Sequence, residues 1–417
     1  MTTSLPRQRS KTRPASRPNP PVESRGPAAV VVVKRLFAAE TGSYFLLLGT
    51  TLFLVVFGLI MVLSSSAVES FKASGDFFNG FVRQLLFAVI GLPIMLIAAR
   101  LPAFFYKKWA GRFLVMAIVL QLLVFVPHIG IDVNGNRNWI NIGGFTAQPS
   151  ELIKVALVLW LGKSLADMQD RLDDWRELLK PLIPAGIAIG LVVLGGDVGT
   201  ALILVAIVFA SLFFAGVNLR LFAIPLAALA VAGAVIALGS GSRASRIATF
   251  VSGCQTDSDP RGLCWQTVHG WWALASGGIF GVGLGNSKLK WSWIPEADND
   301  FIFAIIGEEL GLIGAVLVLA LLVVLAITLV RIIRVRPASD AFARVAVSAV
   351  LIWIIGQAFV NIAVVLGLLP VLGVPLPLIS SGGSALVTSL LGIGIVLSFA
   401  RQAPDAASAP STAGRLR

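Results

Sequence analysis

Apolar residues in this chain come in long unbroken runs rather than in strict alternation or in narrow helical stripes. A bilayer core about 30 Å thick takes roughly 20 apolar residues per spanning helix. Runs of about that length fall at residues 44–64, 84–100, 112–128, 150–166, 180–195, 199–217, 220–240, 301–331, 343–367 and 384–400. The pattern predicts an all-α polytopic membrane protein of ten transmembrane helices, with a large loop at 240–300 between helices seven and eight. Residues 1–43 are rich in Pro, Arg and Ser and predict a disordered basic tail, 44–400 the membrane domain, and 401–417 a second short tail. No cleavable leader is read ahead of the first span. No internal repeat is visible, which argues against an inverted-repeat transporter.

Composition agrees with the pattern. The 417 residues are 57% hydrophobic and 13% charged, with a mean hydropathy of +0.88, too apolar for a soluble domain. The net charge of +12 suggests nucleic acid at first sight. Its cations, however, sit in the tails and in alternate loops, among them Lys107, Lys108, Lys163, Arg171, Arg176, Arg331 and Arg334. That distribution marks a cytoplasmic side, so both termini are expected inside and nucleic acid is not an expected partner. Cys254 and Cys264 then fall outside, where a disulfide is the expected state and two unpaired residues the alternative.

Charge inside such a chain costs about 2.5–3.5 kcal/mol per group near the bilayer centre, even on the mildest scale, so retained charges are candidates for function. The densest acidic stretch carries Glu296, Asp298, Asp300, Glu308 and Glu309 at the start of the eighth run. Between spans three and four, Asn134-Gly135 and Gly143-Gly144 mark turns. Pro149-Ser150-Glu151 marks a helix start there. Arg137, Trp139 and Lys154 crowd this loop and suit an anionic, ring-bearing ligand. Glu151 and Lys154 share a helical face, which leaves two readings for the lysine: a self-neutralising ion pair or a ligand contact. Asp197 lies in a glycine turn and is either a cap for span six or a site residue. The segment Gly367–Ser384, with Pro370, Pro375 and Pro377, cannot continue a helix and is expected to wall a polar cleft, with Ser380 and Ser381 facing it. Gln357 and Asn361 share a face of span nine and predict interhelical hydrogen bonds.

These motifs occur together, and in this order they resemble one family. Asn134-Gly-Asn-Arg-Asn-Trp139, Gln148-Pro-Ser-Glu-Leu-Ile-Lys154, Asp197-Val-Gly-Thr200, Gly281-Val-Gly-Leu-Gly285, Pro295-Glu-Ala-Asp-Asn-Asp-Phe-Ile-Phe303, Gly307-Glu-Glu-Leu-Gly311 and Pro375-Leu-Pro-Leu-Ile-Ser-Ser-Gly-Gly-Ser384 resemble the SEDS (shape, elongation, division, sporulation) proteins. The likeness covers roughly 44–400 and is nearer to the division branch, FtsW, than to the elongation branch, RodA. The chain departs from the family pattern at Asn138, Gly195-Gly196, Asp298-Asn299 and Ser381.

The resemblance implies a peptidoglycan glycosyltransferase that polymerises lipid II at the outer face of the bacterial cytoplasmic membrane. It implies a class B penicillin-binding protein as transpeptidase partner, other division proteins, and a place at the septum. The family's essential acid falls on Asp300, its loop lysine on Lys154 and a further aspartate on Asp197. A sugar hydroxyl is a weak nucleophile, so Asp300 is the expected general base; an N-cap of span eight is its structural alternative. Arg137 and Lys154 are expected to hold pyrophosphate, with Trp139, Asp197, Glu296, Asp298, Ser380 and Ser381 lining the substrate site. Glu151, Glu308 and Glu309 are expected as ion partners. No metal ligand set is assigned and no cofactor is required, although crowded carboxylates allow a divalent cation such as Mg or Mn. A lipid II flippase and a non-catalytic division scaffold are the rival functions.

Overall fold

The computed structural model describes residues 41–133, 136–142, 145–223, 225–227, 264–291 and 296–401. The runs become helices α1 (Gly42–Ser74), α2 (Asn79–Arg100), α3 (Ala103–Leu122), α4 (Pro149–Asp167), α5 (Trp175–Leu194), α6 (Val198–Ala215), α8 (Ile302–Val335), α9 (Ala341–Leu351), α10 (Gln357–Val365) and α11 (Gly383–Ala400), and a further helix, α7 (Trp265–Gly277), forms within the stretch read as a loop. A single π-helical turn, Ile352–Gly356, joins α9 to α10 into one span. Eight helices among the described residues are long and apolar enough to cross a membrane. The seventh predicted span, 220–240, falls mostly outside the described residues, as do both tails and much of the 240–300 loop.

α4 is not among the eight because it carries Glu151, Lys154, Lys163 and Asp167. It is nonetheless the centre of the bundle, packed by α3, α6 and α9, with Leu157, Leu161 and Leu165 fully buried. A helix enclosed by other helices has no lipid face to keep apolar, so its charges meet protein partners instead.

Two departures from the sequence expectation bear on the site. The segment between α3 and α4 is not an irregular loop: it forms a three-stranded antiparallel sheet, β1 (Gly130–Val133), β2 (Asn136–Ile142) and β3 (Phe145–Ala147), in that spatial order. The eighth run is not one continuous helix. At Gly311 the backbone leaves the helical region, with φ 68° and ψ −163°.

The gap at Gly311 is filled by main chain from the segment after α7. Val282 and Gly283 amides donate to the Glu308 and Glu309 carbonyls at 3.0 Å each, and the Leu312 and Ile313 amides donate to Gly278 and Ile279 carbonyls at 2.9 and 3.3 Å. The inserted segment thus satisfies groups that the break exposes, as a membrane environment requires.

A side chain at Gly311 has no room: a Cβ would lie 2.4 Å from the Gly281 nitrogen, in a backbone region open essentially to glycine alone. Gly311→Ala should therefore cost on the order of 1–3 kcal/mol from strain alone. Gly190→Ala in α5, where a Cβ meets nothing within 4 Å, should be neutral. Thermal midpoints of the two purified variants in detergent check this; equal midpoints would remove the argument.

Candidate active site

The helix starts of α2, α4, α6, α8 and α11, together with the sheet, are tied to one another by hydrogen bonds at one end of the bundle. The Arg137 amide in β2 donates to the Gly195 carbonyl at 2.9 Å, seating the sheet on the turn before α6. The Arg83 guanidinium of α2 donates to the Thr146 hydroxyl in β3. Gln84 donates to the Ser380 carbonyl at 2.9 Å, which joins α2 to the segment before α11.

The acidic segment 296–300 is a compact turn. Asn299 and Phe301 amides donate to the Glu296 carbonyl, and Glu296 itself takes a positive φ of 54°. The 370–384 segment folds over it: the Ser381 amide donates to the Asp298 carbonyl at 2.8 Å, and the Ser380 hydroxyl donates to the Asn299 carbonyl at 2.7 Å. Ser380 and Ser381 therefore sit against the acidic turn.

Asp300 does not cap α8. The cap position is Phe301 and no side chain serves it. Asp300 is 9% exposed, and its Oδ1 is buried without a hydrogen-bond partner among the described residues. Burial, then the negative charges of Glu296, Asp197 and Asp298, push its carboxyl up to about 7. Asp298 is pushed up to about 6, by burial first and then by Glu69 and Glu296, against a hydrogen bond from Ser381 that lowers it. Glu69, on α1, faces this cluster and was not singled out from sequence; its signal was a carboxylate near the end of the first apolar run.

Asp197 caps α6, the first of the two readings the sequence allowed, and also ties the turn to the start of α4. Its Oδ1 accepts from the Thr200 amide at 2.9 Å and caps α6, while its Oδ2 accepts from Gln148 Nε2 at 2.7 Å and Ser150 Oγ at 3.1 Å. Gln148 and Ser150 are a further pair that sequence reasoning passed over; both lie within the Gln148–Lys154 motif.

The cations divide. Arg137 is exposed, with a 62% accessible side chain and a loose 3.7 Å contact to Asp132, and Trp139 beside it is partly buried. Lys154 is not on the loop with them, as the sequence suggested; it is fully buried one turn into α4. Its ammonium donates to Glu151 Oε1 at 2.6 Å and to Gln357 Oε1 at 2.9 Å, and Thr388 donates to the second Glu151 oxygen at 3.3 Å. The ion-pair reading of the two is thus the geometry observed.

Glu308 and Glu309 were expected as interhelical ion partners. Glu309 meets Lys290 at 3.2 Å and both its oxygens accept from Ser64 of α1 at 2.6 and 2.7 Å. Glu308 accepts from Ser287 Oγ at 2.5 Å and the Lys288 amide at 2.9 Å. The cation thus comes from the segment after α7 rather than from a helix. Together the two carboxylates clamp that segment between α1 and α8.

Cys264 is disulfide-bonded. Cys254 lies outside the described residues. Among the described residues no group of three His, Cys, Asp or Glu is arranged to hold a metal ion.

Fold and site together define a polytopic membrane protein with a carboxylate cluster sunk at one end of its helix bundle. The model of the cell cycle protein family FTSW_RODA_SPOVE matches residues 44–404. A Mycobacterium tuberculosis protein named probable peptidoglycan glycosyltransferase FtsW is 40% identical over 368 residues, 88% of this chain and 69% of that one. The stage V sporulation protein E of Bacillus subtilis is 35% identical over 364 residues, 87% of this chain and 98% of that one. Among solved structures, a chain of a peptidoglycan synthase complex that coordinates polymerization and crosslinking superposes with a TM-score of 0.69 at 26% identity, covering 85% of this chain and 96% of its own. The rod shape determining protein RodA of Thermus thermophilus superposes at 0.63 with 25% identity, covering 89% and 100%. This chain belongs to the FtsW/RodA/SpoVE family.

Proposed function

We propose that this chain is a peptidoglycan glycosyltransferase that polymerises lipid II into glycan strands at the outer face of the bacterial cytoplasmic membrane, with Asp300 as general base. The observation that carries the reading is the buried Asp300 carboxylate oxygen with no partner among the described residues, in a turn lined by Glu296, Asp298 and Asp197. An unpaired buried acceptor costs stability, about 1–3 kcal/mol, and is kept where a ligand group completes it.

In this reading the acceptor sugar hydroxyl donates to Asp300. As the hydroxyl oxygen bonds to the anomeric carbon of the donor, its proton passes to the carboxylate and the bond to pyrophosphate breaks. The departing pyrophosphate keeps the electron pair and needs a cation rather than a proton. The exposed Arg137 supplies that charge, with Trp139 as a flat surface beside it. Ser380 and Ser381 shape the wall opposite. Lys154 acts from within by holding Glu151 and Gln357 in place.

Positive residues in alternate loops support a cytoplasmic location for both termini. The FtsW names of the relatives support a role at the division septum. The complex formed by the structural neighbour supports a transpeptidase partner of the class B penicillin-binding type.

A base must be ionised to act, so polymer formation should rise as pH climbs through about 7 and level off about a unit above. An ordinary aspartate, at 3.8, would give a flat profile over that range. The same shift acts on stability. Between 3.8 and about 7 the native state keeps a proton that the unfolded chain has lost, so this group's contribution falls as pH rises across that window and is constant above it. Polymerisation of labelled lipid II by the purified protein, measured from pH 5.5 to pH 8.5 in steps of about half a unit, decides the matter; a rate independent of pH sinks the assignment of the base.

A further inference from the structure

Asn361 sits one turn beyond Gln357 on α10, and the two were expected to bond helix to helix. Gln357 does so, accepting at Oε1 from Lys154 of α4, while the amide nitrogens of both residues serve loop carbonyls. Gln357 Nε2 donates to Pro375 O at 2.9 Å. The Asn361 amide spends its two protons on two different segments, donating to Asp300 O at 2.8 Å and to Val374 O at 2.7 Å. Asn361 is 1% exposed, so neither bond is exchanged for water.

The Asp300 carbonyl needs this partner because it stands just outside the helical ladder of α8. The Ala304 amide, which would reach it in a helix one turn longer, donates to Phe301 O at 2.9 Å. Asp300 therefore has a side chain whose Oδ1 meets no hydrogen-bond partner among the described residues and a carbonyl held by Asn361. The direction in which the carboxylate points is set through its backbone.

We propose that Asn361 is a positioning residue for glycosyl transfer: its amide pins the backbone of Asp300 to Val374 and so holds the carboxylate in line with the incoming hydroxyl. The proposal rests on Asp300 being the base. A base misplaced by about 1 Å loses on the order of 10²-fold in rate even when substrate still binds. The α10 face is thus the rear support of the site, reached from within the bundle rather than from the side on which lipid II arrives.

The test uses the full-length protein in proteoliposomes with labelled lipid II and its transpeptidase partner. Asn361→Ala should lower kcat roughly 100-fold with KM within about threefold of the parent. Gln84→Ala, which frees the Ser380 carbonyl of the same 370–384 segment without touching Asp300, should lose less than a tenth as much. Equal losses in the two variants, or a loss confined to KM, would mean that loop packing alone is at work and would overturn the proposal.

Asn361→Asp guards against failure of the alanine variant to fold, because it keeps the shape. It offers at most one proton where the amide offers two, so one of the two carbonyls is released and kcat should fall with KM near the parent. A parental kcat overturns the proposal as well. If Asp300→Asn retains the parental rate, the base assignment fails and this inference with it. If Asp300→Asn is inactive while Asn361→Ala keeps kcat, only the positioning role fails.

Discussion

Asp300→Asn should reduce lipid II polymerisation by about 10²–10⁴-fold, the range a positioned general base supplies. The substitution keeps size and burial. It also removes the charge that Glu296, Asp197 and Asp298 oppose, so the variant should be at least as stable as the parent above pH 7. Loss of activity with an unchanged or raised thermal midpoint separates a chemical role from a structural one. Polymer yield within a few-fold of the parent would remove Asp300 from the mechanism.

The second large effect is expected deep in α4. Lys154→Met leaves Glu151 as an unpaired buried carboxylate and takes the donor from Gln357, and breaking a buried pair of this kind costs about 3–5 kcal/mol. Adding Glu151→Gln removes the stranded charge, and the double variant should recover most of the lost thermal stability. Activity then decides what the lysine does. If polymerisation returns with stability, Lys154 serves the scaffold, as its burial indicates. If stability returns and polymerisation does not, the ammonium itself takes part in handling pyrophosphate.

Most of the helices were legible because a spanning segment is a long apolar run that little else imitates. The edges were less so. α1 runs ten residues past its apolar stretch, to Ser74, because its polar end is answered by protein rather than lipid: Ser64 meets Glu309, and Ser70 accepts from the Gly80 amide at 3.0 Å. The sheet was missed because its outer strands have only four and three residues and the central one carries three asparagines. Part of what fixes it, the Gly195 carbonyl, lies far along the chain. The break at Gly311 was missed for a related reason: one glycine in an apolar helix is unremarkable until a second segment is found docked in the gap.

Within the site, Asp300 and Asp197 could be picked out as charges with no business in lipid. Which of their alternative roles applied could not, since an N-cap and a free carboxylate look alike in sequence. Lys154 was left between an ion pair with Glu151 and a ligand contact, because the sequence shows only its neighbour on the same helical face. Its partner Gln357 is on a helix that begins two hundred residues later. Asn361 was noticed only as a polar residue in a span, because the carbonyls it serves carry no signature in the amino-acid code.

The main-chain insertion at Gly311 has a mechanical side. The segment from Gly278 to Gly283 is stitched to both halves of α8, and Glu308 and Glu309 rivet the residues that follow it to the same helix. That segment and the stub Ile302–Leu310, which follows directly on Asp300, are thereby coupled by hydrogen bonds. A displacement of the polypeptide after α7 is expected to reach the carboxylate through the main-chain contacts at Glu308, Glu309, Leu312 and Ile313.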